Sequence, residues 1–419
     1  MRSPISVLIL FLLVSAGLLI PVAAKLSPSK NNLTETYTGL ESSVVLSDDA
    51  PAPLPERTTE AYVFVGGQNG SWFQQGQFPK LDQISLPNYS CIQLDPVNSG
   101  GTVWGGGFNG SQLLVSGWGT DDHSFGPYIW LYNGARVVTE GSLDDYGQAS
   151  SWSGGDIFAA SYNGEEWLVS GLGSGQLPSY GDDATNHMSL GTFNGSVFTD
   201  LSGLVPEQED AILYANAWNG QYWLVGGGYA STGVLFTFDG NTTVDLTAQA
   251  KKAIPDFASV QSIAWNGHYW LIGGVGFLAK YDGHNFVDLT QQLQQVLSTY
   301  YFDSVNAIAW NGQSWLIGGG TPIAQLGLSQ AWVVADTATG LIDLSSTLPL
   351  YIANATQSSS ILGITAANGM WFLGGYSNNR GILLTYDEGF LKDYSSLVNG
   401  FTYVDWVSTL QVLEFSNAD

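Results

Sequence analysis

The stretch "AWNGHYWLIGG" at residues 264–274 is written twice more with small changes, as "AWNGQYWLVGG" at 217–227 and "AWNGQSWLIGG" at 309–319. An apolar run closed by small residues recurs more widely, as Val63 to Gly67, Leu113 to Gly117, Trp167 to Gly171, Trp223 to Gly227, Trp270 to Gly274, Trp315 to Gly319 and Trp371 to Gly375. The starts of these runs lie 50, 54, 56, 47, 45 and 56 residues apart. That spacing suits one four-stranded propeller blade and is too long for a solenoid coil.

Turn chemistry divides each unit into four strands, here called A to D. In the clearest copy "VQSIAWNG" is followed by "HYWLIGG", "FLAKYDG" and "HNFVDLT", with Asn266-Gly267 and Asp282-Gly283 as tight hairpin signals. Strand B is apolar throughout, as a strand covered on both faces must be. A lone hairpin could not bury Trp223, Trp270, Trp315 and Trp371, so the units must pack on one another. Their equivalent places in the repeat make these Trp residues packing groups before sugar-stacking platforms.

The first copy, "YVFVGG", has no A strand before it, and the chain ends in "YVDWVSTLQVLEF", a strand with nothing after it. The fold expected is therefore an all-β, seven-bladed β-propeller of four-stranded blades, closed by pairing of the N- and C-terminal segments. Six blades with a stray N-terminal hairpin is the alternative. The double Gly of "YWLIGG", the "YDG" that follows and Phe286 in "FVDLT" resemble the kelch repeat of β-propellers over about residues 61 to 415, although strand D lacks the Trp of that repeat. The resemblance implies a binding platform that in some members carries an enzyme.

Residues 1–24 read as a signal peptide or N-terminal membrane anchor, with Arg2 before the apolar run Ile5 to Ile20 and "PVAA" before Lys25. Residues 25–60, rich in Ser, Thr and Pro, read as a linker, and 61–419 as the propeller. An exported, extracellular or cell-surface protein follows, touching a membrane only through its N-terminal segment if that is uncleaved. Cys91 is the single cysteine, so no intrachain disulfide can form.

Charge narrows the partners. Lys plus Arg number 11 against 36 Asp plus Glu, a net charge of -25, which disfavours nucleic acid because phosphate contacts need basic patches. So few cations, with a pI near 4.1, would also suit an acidic medium, where protonated carboxylates leave little residual repulsion. Tight A-to-B and C-to-D turns should share one face, and the longer connections the other. Two of those, "GWGTDDHSFG" and "GLGSGQLPSYGDDATNH", each carry an Asp pair and a His. Asp121, Asp122, Asp182 and Asp183 are candidate Ca²⁺ ligands, since hard cations take several oxygen ligands. Asp144, Asp145, His123, His187, Glu207, Glu209 and Asp210 are candidates for the surrounding ligand or docking patch.

No enzyme signature stands out. Outside residues 1–24, Arg57, Arg136 and Arg380 are too scattered for a sialidase-like site, and His268 and His284 flank tight turns away from the loop face that a copper oxidase would need. The function expected is an exported binding or structural propeller presenting an acidic loop face to an extracellular glycan or envelope protein. The alternative is an extracellular carboxylate-dependent hydrolase or lyase acting on a polysaccharide or small ester. Glycosylation sequons stand at Asn32, Asn69, Asn88, Asn109, Asn194, Asn241 and Asn354.

Overall fold

Inner strand Val260–Trp265, strand Trp270–Gly274, strand Phe277–Tyr281 and outer strand Phe286–Asp288 pair in that order, each antiparallel to the last. This is the unit quoted above, folded as one blade of a β-propeller. The computed structural model describes residues 61–414 except 70–77, 87–88, 95–100, 121–124, 134–136, 147–151, 153–154, 174–186, 209–210, 230, 299–301, 324–327, 338–339, 350–351, 353–357, 368, 379, 388 and 399–406. The signal or anchor segment and the linker expected over 1–60 lie outside these residues.

Among the described residues the strands form seven four-stranded antiparallel sheets. Their inner A strands are Gly101–Phe108, Asp156–Tyr162, Ile212–Trp218, Val260–Trp265, Ser304–Trp310, Ser359–Ala367 and the C-terminal Val407–Glu414. Each A strand packs beside the next around a central channel, and Val407–Glu414 lies between Ser359–Ala367 and Gly101–Phe108. Val407–Glu414 also pairs with Ala61–Asn69, so the last strand of the chain completes the sheet begun by the first three. Closure removes the open inner edge that either segment would present alone.

The unbroken apolarity of strand B follows from where its two faces go. Trp223 and Val225 bury into a core with Leu168 and Leu190 of the preceding sheet, whereas Leu224 between them buries into the core with Trp270 and Ile272 of the following one. Trp315 and Ile317 against Leu316 repeat the division. Side chains alternate between faces along a strand, and here both faces are interior. Repetition is thus the condition for burial.

The A-to-B hairpins use Asn differently from a simple Asn-Gly turn centre. Trp265 pairs with Trp270, the Asn266 N–H donates to the Tyr269 carbonyl at 3.3 Å, and Gly267, with φ 95°, leads the turn. The Asn266 Oδ1 accepts from the N–H groups of His268 and Tyr269 at 2.9 and 2.8 Å, so its side chain ties the loop from outside. Asp282 does the same at the C-to-D turn for His284 and Asn285, which holds its carboxyl below the usual range.

A second clip recurs where strand D ends. Asp288 Oδ1 accepts from the Thr290 N–H at 2.9 Å, and the Thr290 hydroxyl accepts from the Leu278 N–H of strand C at 3.2 Å. Asp200 with Ser202, Asp245 with Thr247, Asp343 with Ser345 and Asp393 with Ser395 repeat the pair. Each links the outer strand to the connection leaving for the next sheet.

Candidate functional site

Six inner strands carry a register skip at the same place, opposite the end of strand B. The skips fall between Val103 and Gly105, Ile157 and Ala159, Leu213 and Ala215, Val260 and Ser262, Val305 and Ala307, and Ile361 and Gly363. A β-bulge of this kind leaves one residue outside the ladder and re-aims its side chain. The residues left over are Trp104, Phe158, Tyr214, Gln261, Asn306 and Leu362, and all six line the central channel. In the closing strand the pairs Gly66 with Thr409 and Gly67 with Val407 leave Ser408 at the corresponding register position.

The cavity at this level encloses about 220 Å³. Trp104, Phe158 and Tyr214 stand on three successive strands with ring centroids 5.5 and 5.2 Å apart, forming an aromatic arc. Gln261 and Asn306 follow on the next two strands. Asn306 is held by its neighbours, its Nδ2 donating to Ser360 Oγ at 2.9 Å and its Oδ1 accepting from Ser304 Oγ. Gln261 Nε2 donates to Ser259 Oγ at 2.9 Å. Among the described residues no charged side chain lines the cavity.

Titratable groups flank the ring. Asp156 stands two residues before Phe158, and burial pushes its carboxyl up to about 7, with hydrogen bonding from Trp104 opposing the rise. Its Oδ1 is shut off from solvent without a hydrogen-bond partner. Burial, and then the proximity of Tyr229 and Asp156, raise the Tyr214 hydroxyl, so it remains a neutral donor. Burial likewise raises Asp303, and it raises Tyr376 against a hydrogen bond with Ser358.

The acidic candidates stand apart from this ring in the chain. Asp121, Asp122, Asp182 and Asp183, the proposed Ca²⁺ ligands, lie outside the described residues, as do His123, Glu209 and Asp210. Asp144 and Asp145 fall in the short 3-10 turn Leu143–Tyr146. His187 opens the strand His187–Phe193, pairs with Gly173 and is buried, while Glu207 is exposed between a D strand and the following A strand. Among the described residues no three His, Cys, Asp or Glu side chains converge as a metal site. Of the sequons, Asn194 and Asn241 are exposed, Asn109 caps its own turn through Ser111 and Gln112, and Asn69 ends the strand Ala61–Asn69. Asn32, Asn88 and Asn354 fall outside the described residues.

No family model matches this chain, and no curated protein matches it either. Solved structures align with it at low identity. A structure from Bacteroides uniformis, provisionally described as a 6-phosphogluconolactonase, aligns at 11% identity with a TM-score of 0.45, covering 84% of this chain and 99% of that one. Sqt1 from Chaetomium thermophilum bound to the N-terminus of ribosomal protein L10 aligns at 13% identity with a TM-score of 0.40, covering 73% and 77%. Neither likeness bears on function.

Sequence reasoning missed the bulge ring, though a signal for it existed. Aligning the repeats on the preceding aliphatic residue gives Val103-Trp104, Ile157-Phe158, Leu213-Tyr214, Val260-Gln261, Val305-Asn306 and Ile361-Leu362. The first member of each pair is always aliphatic and buried. The second changes chemical type around the ring, which packing alone does not require.

Proposed function

We propose that the protein is an exported binding propeller whose ligand is held in the central channel, and that it performs no catalysis. The observation that supports this is the contrast just described: a repeated frame that keeps its packing residues and varies the bulged, channel-lining residue of six inner strands. Rigid scaffolds with variable projecting residues are how binding sites are commonly built. The kelch-like repeat features agree with a platform of this kind. An extracellular glycan or an envelope protein is the partner class, reached after export through the N-terminal segment.

A hydrolytic reading has one observation in its favour. A carboxyl held near neutrality by burial, as Asp156 is, can act as a general acid. One experiment separates the two readings. The purified full chain is screened by thermal shift against glycans, envelope extracts and divalent cations, and by product release against polysaccharide and ester panels. Binding without turnover supports the platform, whereas turnover abolished in Asp156→Asn with folding intact supports the hydrolase. The Ca²⁺ arm of the same screen, compared with chelator, tests the acidic loops.

A further inference from the structure

We propose that the channel ring is a binding site for a neutral sugar ring, a reading that rests on the binding-propeller function and names its ligand class. A cavity of about 220 Å³ falls below the several hundred Å³ usual for drug-sized ligands, so it suits one ring at a time.

Three features of the wall select the chemistry. The aromatic arc of Trp104, Phe158 and Tyr214 lines one side of the channel. Gln261 and Asn306, on the two strands that follow, offer amides, and Tyr214 adds a hydroxyl. A pyranose has the matching faces: a patch of C–H groups that lies on aromatic surface, and a rim of hydroxyls that both donate and accept. Amides read hydroxyls well because each carries donors and acceptors together.

The hydrogen-bond inventory leaves capacity for this. Gln261 uses one amide hydrogen on Ser259, which leaves its second hydrogen and Oε1. Asn306 spends its Nδ2 on Ser360 and the Ile361 carbonyl, and its Oδ1 already accepts from Ser304, so it is a fixed acceptor with one lone pair to spare. Charged ligands fit less well. Among the described residues the wall has no Lys or Arg to hold an anion and no carboxylate to pair with a cation, and burying an unpaired charge is costly.

The full chain is titrated by calorimetry with glucose, galactose, mannose and N-acetylglucosamine, with glucuronate and choline as the charged comparisons. At least one neutral sugar binds, and Gln261→Leu, which preserves volume while removing the amide, weakens it about tenfold. Tyr214→Phe weakens binding by a smaller factor, and neither variant changes the sugar-free melting temperature by more than about 2 °C. Choline or glucuronate binding in a Gln261- or Tyr214-dependent manner overturns the sugar assignment and leaves the binding channel standing. Failure of every probe, in a chain that also responds to nothing in the wider screen, overturns both. Sugar binding indifferent to both substitutions places the sugar elsewhere and refutes the channel site.

Discussion

Gly227 lies so close to Ile212 that a Cβ on it would stand 1.9 Å from the Ile212 carbonyl oxygen. Ile212 is two residues before the bulged Tyr214, and the same closeness joins Gly171 to Asp156 and Gly319 to Ser304. The Gly that closes each of these B runs therefore accommodates the backbone that the bulge turns inward. In the double-Gly copies the first Gly has another role, since a Cβ on Gly226 would meet Val260 Cγ1 of the next sheet at 2.6 Å. The double Gly that marks the repeat thus follows from two close approaches, one within the sheet and one between sheets. Gly227→Ala should lower stability by at least about 2 kcal/mol, because rigid backbone cannot yield as a side-chain end would. Gly203→Ala, where nothing lies within 4 Å, should leave the melting temperature nearly unchanged. Denaturant melts of the pair test the contrast.

Much of the architecture was legible because it is encoded locally. Asn-Gly and Asp-Gly turns and apolar B runs ending in paired Gly mark where strands begin and reverse. The bulges carry no such mark, since Tyr214 or Gln261 sits inside a strand whose flanking residues remain good strand formers. They emerge only when pairing partners are known, because a bulge is a property of two strands together. The Asp-to-Thr clip was visible in "FVDLT" as letters, but its partner Leu278 lies 12 residues away and on another strand. The acidic loops drew attention through composition alone, and composition does not assign geometry.

That clip makes a prediction of its own. Asp288→Ala removes the acceptor for the Thr290 N–H and should cost about 1 kcal/mol, in the range of a lost capping bond. Thr290→Val should cost more, since Thr290 is buried and its hydroxyl bonds both the N–H and the carbonyl of Leu278. The order of the two melting temperatures decides the matter: Asp288→Ala above Thr290→Val.

Asp156 gives the protein a pH dependence with a definite sign. Its carboxyl is raised by burial from 3.8 to about 7, so between those values the folded state holds a proton that the unfolded state has released. Stability contributed by this group is present at low pH and is lost as pH rises through that window, with a ceiling of roughly 4 kcal/mol. Burial raises Asp303 and Asp336 in the same direction, the latter against the charge of Lys280. Asp239 and Asp282, lowered by backbone hydrogen bonds, act oppositely and only once pH falls below the ordinary carboxylate range. Melting temperature should therefore be higher near pH 5 than near pH 8, and Asp156→Asn should flatten the difference. A profile that rises from pH 5 to pH 8 would contradict this, and with it the expectation of an acidic working medium.

Closure of the ring depends on a single strand pairing. Strand Ala61–Asn69 pairs on one side with Phe78–Leu86 and on the other with Val407–Glu414, so removing the residues after Tyr403 strips the inner strand from that sheet. Val63, Val65 and Ile84, buried against Phe372 and Leu383 of the preceding sheet, would remain, but the edge beside them would carry unpaired N–H and carbonyl groups. Such an edge is a template for pairing with another chain. The channel would also lose the strand that stands between Ser359–Ala367 and Gly101–Phe108, so the aromatic arc at Trp104 would lose the neighbour on its open side. The truncated chain should aggregate or melt many degrees lower, and a synthetic peptide covering residues 404–419 should restore part of the loss by adding the missing strand in trans. Unchanged melting after truncation would show that the C-terminal strand contributes nothing to the fold. A large loss that the peptide does not reverse at high concentration would show that covalent attachment, and not pairing alone, holds the ring closed.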